Sequence, residues 1–185
     1  MQKLDFDVKA IFQERLASSF GLDKYQYIIE KAKTINIATD TNFQRIFNGF
    51  YMVRRNETWR NSYYSYFEAI KNNHPSFENI ITFLYDATGN IEPSFSSKML
   101  ATLSPEKPIW DKYVVQNLGL QLDGTTKQEK LQNAILLYED IEKWYEIFLS
   151  TKKATECINL FNQMLPDYKW VSNTKKIDCI LWSIR

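Results

Sequence analysis

The stretch PSFSSKMLATLSPEKPIWDKYVVQNLGL, residues 93–120, contains three of the chain's five prolines, Pro93, Pro105 and Pro108, around one short apolar run. Proline has no backbone N–H and disrupts a helix interior, so these positions punctuate the chain. Reading outward, a helix ends near Gly89 and the loop NIEPSFS, residues 90–96, follows. A second helix starts near Ser96 and runs through Lys98, Met99 and Leu100. After SPEKP a third helix starts near Asp111 and ends at Gly119. The corner thus sets a lysine, Lys98, and a carboxylate, Asp111, a few turns apart.

The rest of the chain reads as helices with short connections, since Gly and Pro together number only ten. A helix over 6–19 gathers Phe6, Ile11, Phe12 and Leu16 on one face. Another over 23–35 places Tyr25, Ile28, Ile29 and Ala32 at helical spacing. Residues 40–53 start at Asp40 or Thr41 as N-cap and carry Phe43, Ile46, Phe47 and Phe50. Residues 57–71 put Trp59, Tyr63, Tyr66, Phe67 and Ile70 on one stripe, with Tyr64 off it. Ser76 caps a helix carrying Ile80, Phe83, Leu84 and Ala87, and Gly89 stops it. The best-defined helix, 127–150, keeps its spacing over six turns and spans roughly 35 Å. Helices over 153–165 and from Thr174 to the end complete the set, the last docking on the core. No strand pattern or internal repeat is evident. The fold class is all-α, with about nine or ten helices in one domain, 1–185, or in two lobes sharing a core, with the corner at 78–120.

Composition narrows the functional classes. Hydrophobic residues make up 44% and charged residues 24%, as in a globular domain, which argues against disorder. The aromatic share of 15% exceeds what a small core usually takes, so a groove or partner surface is expected to use some rings. Net charge is +1, so nucleic-acid binding would need a local patch. Residues 101–150 carry five Lys/Arg against eight Asp/Glu, and residues 151–185 carry six against three. Cys157 and Cys179 stand alone in apolar surroundings, which suits buried thiols in a reducing, cytoplasmic setting. No stretch reaches 18 apolar residues, and the opening MQKLDFDVKA lacks the apolar run of a signal peptide. Membrane association is therefore not expected.

A hairpin between helices can hold a phosphate, because the N–H groups and dipole at a helix start favour an anion. Here Ser94, Ser96 and Ser97 would offer hydroxyls to it. The order Pro-x-x-x-x-Lys at 93–98, Ile-x-Asp-x-x-Val at 109–114 and Asn-Leu-Gly-Leu at 117–120 resembles the signature of helix-hairpin-helix DNA glycosylases. The match covers about 28 of the 185 residues. The family's two hairpin glycines are replaced by Ser94 and Ser96, the helix between lysine and aspartate is short, and there is no cysteine cluster for an iron–sulfur centre. The resemblance implies an all-α fold, double-stranded DNA as partner and a place in DNA repair. It also implies Asp111 as the carboxylate that stabilises positive charge as a base leaves, and Lys98 as a Schiff-base nucleophile.

Other residues extend this reading. Arg54, Arg55 and Arg60 flank Trp59 and can contact phosphates, with Tyr64 as a candidate exposed ring. The same residues also suit the solvated edge of a core helix, and Asp111 suits a plain N-cap. Lys175 and Lys176 open a helix, an unfavourable place for cations, which slightly favours an anionic partner. His74 is the only histidine and lies before Pro75, far from any nucleophile motif, so neither a metal site nor a Ser-His-Asp site is expected. There is no Walker loop and no GxGxxG, and no cofactor is expected. Three readings stand: a base-excision glycosylase or AP lyase using Asp111 and Lys98, a non-catalytic helical module that binds DNA or a protein partner, and a helical interaction protein with no nucleic-acid role.

Overall fold

A computed structural model describes residue 7, residues 9–11 and residues 20–184. The expected helix over 6–19 falls largely outside these. The described residues are all-α: nine α-helices and one 3-10 turn, with no strand among them. The chain divides into two compact units, one of residues 21–104 and one running from Pro105 onward that includes Phe20. The boundary after Ser104 cuts through the proline-rich corner, so Lys98 and Asp111 belong to different units.

In the first unit, α1 (Leu22–Ala32) buries the predicted stripe Tyr25, Ile28, Ile29 and Ala32, and Leu22 as well. Gly21 leads into it at φ 68, where a Cβ would meet the Phe50 ring at 3.3 Å. α2 (Thr41–Tyr51) starts at Asp40, whose carboxylate accepts the Phe43 N–H, and stops at Met52 in the left-handed region. α3 (Glu57–Ile70) is capped by Asn56. α4 (Phe77–Thr88) has a reciprocal Ser76–Asn79 capping box and ends at Gly89, φ 70. The excess of aromatics is largely explained here. The Phe47 ring lies within 4.7–6.1 Å of Tyr51, Phe67, Phe43, Tyr64 and Tyr63. These tilted and edge-on contacts are the favoured aromatic geometries.

α5 (Pro93–Leu103) begins three residues earlier than the loop reading placed it. Pro93 takes the first helical position, where its fixed φ suits the helix and its missing N–H costs nothing. Residues 96–102 are buried on every side, and α5 packs against α1 and α4.

In the second unit, α6 (Lys112–Asn117) is capped by Asp111. α7 (Lys127–Leu149) opens with a Thr126–Glu129 capping box. α8 (Lys152–Met164) is capped by Thr151 and leads into the 3-10 turn Pro166–Tyr168. α9 (Asn173–Ser183) is the core of this unit, buried throughout Thr174–Leu181 and packed by α6, α7 and α8. Asn117 closes its C-terminal end, donating to the carbonyls of Leu181 at 3.0 Å and Ile184 at 3.2 Å. The two opening lysines of α9 are not surface cations. Lys175 pairs with Asp178 at 2.6 Å, and Lys176 donates to the Lys169 carbonyl at 2.9 Å. The anion their position called for is supplied, for Lys175, by the helix itself. Both cysteines are buried free thiols, and burial pushes Cys179 up to about 12.

Candidate nucleic-acid interface

The corner's chemistry is best followed from the start of α5. Its serines were expected in a loop, facing an anion. The early start at Pro93 instead winds them into the helix. Ser96 donates its hydroxyl to the Glu92 carbonyl at 2.9 Å and Ser97 donates to the Ser94 carbonyl at 3.0 Å. Back-bonding of this kind is what serine does inside a helix. Ser96 and Ser97 are buried, and Ser94 alone keeps partial exposure.

Lys98 follows on the same helix and is 9% exposed. Its ammonium donates to the Tyr51 carbonyl at 3.1 Å and lies 5.0 Å from the centre of the Phe95 ring. Tyr51 is the last residue of α2, so its carbonyl lies at the negative end of the helix dipole. Lys98 therefore acts as a buried cation closing α2.

Arg55 pairs with Glu92 across the start of α5. Its Nε and Nη2 reach the two oxygens of Glu92 at 3.0 and 2.9 Å, a two-pronged ion pair. The guanidinium also lies 5.1 Å from the Phe95 ring centre and 5.8 Å from that of Trp59. Glu92 is buried while the Arg55 side chain is 41% exposed. Trp59 stacks on Tyr63 at 4.9 Å, and the Tyr63 hydroxyl donates to the Phe95 carbonyl at 3.0 Å. Burial raises the Tyr63 hydroxyl well above its ordinary value. The Trp59 indole N–H is buried and meets no acceptor among the described residues.

Arg54 is exposed and Arg60 half-exposed, and neither makes an ion pair among the described residues. Tyr64 is not the exposed ring the stripe suggested. It is 1% exposed and donates to Asn48 Oδ1 at 2.6 Å, because α3 buries a face wide enough to include it. Tyr66, read as core, is only half-buried and stacks flat on Phe83 at 3.6 Å.

In the second unit Asp111 is half-buried. Its Oδ1 accepts the Tyr113 N–H at 2.9 Å, and its other oxygen accepts no hydrogen bond among the described residues. An open groove of about 540 Å³ in this unit is lined by Glu106, Lys107, Glu139, Glu142, Lys143 and Glu146 among others. That surface is acidic and unsuited to phosphate. In the first unit His74, at φ 47, lines an open groove of about 440 Å³ with Tyr66 and Glu78, and no serine or cysteine lines it. Among the described residues no group of three His, Cys, Asp or Glu could hold a metal ion.

Glu92 is the residue that reading the sequence missed. Its partner lies 37 positions away, and a single glutamate before a proline carries no local signal of pairing. No family model, curated protein or solved structure matches this chain.

Proposed function

We propose that this chain is a non-catalytic helical module that binds DNA through its phosphates. The burial of Lys98 is the observation that carries the non-catalytic part. A Schiff-base lysine must lose its proton and reach a sugar carbon. Lys98 instead has its ammonium against the Tyr51 carbonyl, inside the first unit. Two of the three serines offered to a phosphate have their hydroxyls turned back onto their own helix.

Support for DNA rests on the resemblance of the corner and on Arg54, Arg55 and Arg60, which segment 54–60 presents around Trp59. Arg54 and Arg60 make no ion pair among the described residues. Arg55 is exposed, but its ion pair with Glu92 competes with a phosphate for the guanidinium. Phosphate contacts position a protein on a duplex without reading sequence.

The test is duplex binding by the full chain at two ionic strengths. Replacing Arg54 and Arg60 together by alanine should weaken binding uniformly across sequences and flatten its dependence on salt. Unchanged affinity and slope would remove these residues from the interface.

The glycosylase reading keeps one observation in its favour, the second oxygen of Asp111. A carboxylate with an open oxygen could stabilise a developing positive charge while capping α6. Under this reading Asp111 acts without Lys98, as hydrolysis rather than strand cleavage, and release of a free base would be its signature.

A further inference from the structure

The solvent-facing side of α7 carries a pattern that nothing above uses. Leu136 and Ile147 are 58% and 51% exposed, and with Met52 they are the large apolar side chains more than half exposed among the described residues. Between them lie Asp140 and Lys143, also exposed and paired at only 3.7 Å. At about 100° per residue these four positions fall within an arc of about 60°. They form one stripe: apolar, acidic, basic, apolar. The separations are four, three and four residues, so the stripe is symmetric about its midpoint.

We infer that this stripe is a self-recognition surface, on which a second copy of the chain docks its α7 antiparallel about a two-fold axis. In that register Leu136 meets Ile147 of the other copy, and Asp140 meets Lys143, each contact occurring twice. A two-fold interface requires this kind of self-complementarity, in which residue i contacts j and j contacts i. A parallel pairing in register would set Asp140 on Asp140 and Lys143 on Lys143.

The flanks set the strength. Glu139 and Glu146 lie on one edge of the stripe, beside the acidic groove with Glu106. An antiparallel pair brings that edge against its own copy, so like charges gather there, offset only in part by Lys107. One helix face also falls short of the roughly 800 Å² per partner of a standard interface. The association is therefore weak and concentration-dependent, with salt screening both the flanking acids and the two Asp140–Lys143 contacts.

The test is sedimentation of the full chain across a concentration series, by analytical ultracentrifugation at low and moderate salt. A reversible dimer is expected. Asp140→Lys and Lys143→Asp should each weaken it by about tenfold or more through like-charge contacts. An equimolar mixture of the two variants should recover a heterodimer. Leu136→Cys mixed with Ile147→Cys should form an intermolecular disulfide under mild oxidation, and neither variant alone should. A monomer at every concentration, a dimer indifferent to both charge reversals, or cross-linking of Leu136→Cys to itself would each overturn the proposal. Helicity by circular dichroism identifies any variant that fails to fold, and the cross-linking pair then decides the register without the charge variants.

Discussion

The Lys98 ammonium closes α2 by donating to the Tyr51 carbonyl at 3.1 Å, across 47 positions of sequence. One end of that contact is a helix terminus, where the last carbonyls have no intrahelical donor. The other is the residue whose place in the corner suggested catalysis.

Lys98→Met keeps most of the buried stem and removes the charge and the donor. It should cost about 1.5–3 kcal/mol, the range for losing a hydrogen bond to a charged group. Urea denaturation checks this against Lys112→Met, an exposed lysine whose loss should change stability by less than about 0.5 kcal/mol. Equal, small effects would show that Lys98 is not structural.

If the chain binds DNA as proposed, Glu92→Gln removes the acid that would compete with a phosphate for Arg55. Stability should fall by only about 1 kcal/mol, since Arg55 is well exposed and its pair is screened. Affinity for duplex DNA should rise at the same time, with a steeper salt dependence. A stability loss without a gain in affinity would place Arg55 outside the interface.

Asp111→Ala should destabilise by about 1 kcal/mol through loss of the α6 cap, and Asp111→Ser should recover most of it. The two variants should bind DNA as the parent does. A binding or base-release defect in Asp111→Ser, with stability restored, would point to a chemical role for the carboxylate.

Alkaline pH should unfold the protein. Burial raises Cys179 from 9.0 to about 12, and it raises Tyr63, Tyr138 and Tyr145 above 10.0. These groups are neutral when protonated, and their folded values lie above their unfolded ones. Their contribution is complete below about pH 9 and is lost as pH rises, because the unfolded chain gives up protons that the folded chain keeps. Tyr64, Tyr66 and Cys157 are raised by burial in the same way, and Lys176, which burial lowers, is the one group that acts in the opposite sense among the described residues whose values shift this far. Melting temperature should decline steadily above pH 9, and Cys179→Ala should soften the first part of that decline.

Much of the fold was legible because its signals are local. Asp40, Ser76 and Gly89 bound their helices where cap chemistry puts them, the α1 stripe is buried as its spacing requires, and so are Leu131, Ala134, Tyr138, Ile141 and Tyr145 of α7, while Ile135, Phe148 and Leu149 are only half-buried. The start of α5 was misplaced because Pro93 reads equally as the end of a loop or the first residue of a helix. That choice decided whether the serines faced a ligand or their own carbonyls. Tyr64 was misread because α3 buries a face broader than a single stripe. The Arg55–Glu92 and Lys98–Tyr51 contacts join distant segments, which no periodicity reports. Lys175 is different. Its partner stands three residues on, at a spacing that brings helical side chains together, so that signal was present in the sequence.

The most direct test of the non-catalytic reading sets an intact duplex beside one carrying a stable abasic-site analogue, each at two salt concentrations, with borohydride added to parallel samples on a natural abasic site. The account predicts equal binding to both duplexes, weakening with salt, and no covalent adduct. Preference for the abasic duplex with an adduct trapped on Lys98 would contradict it, and so would the absence of binding to either duplex.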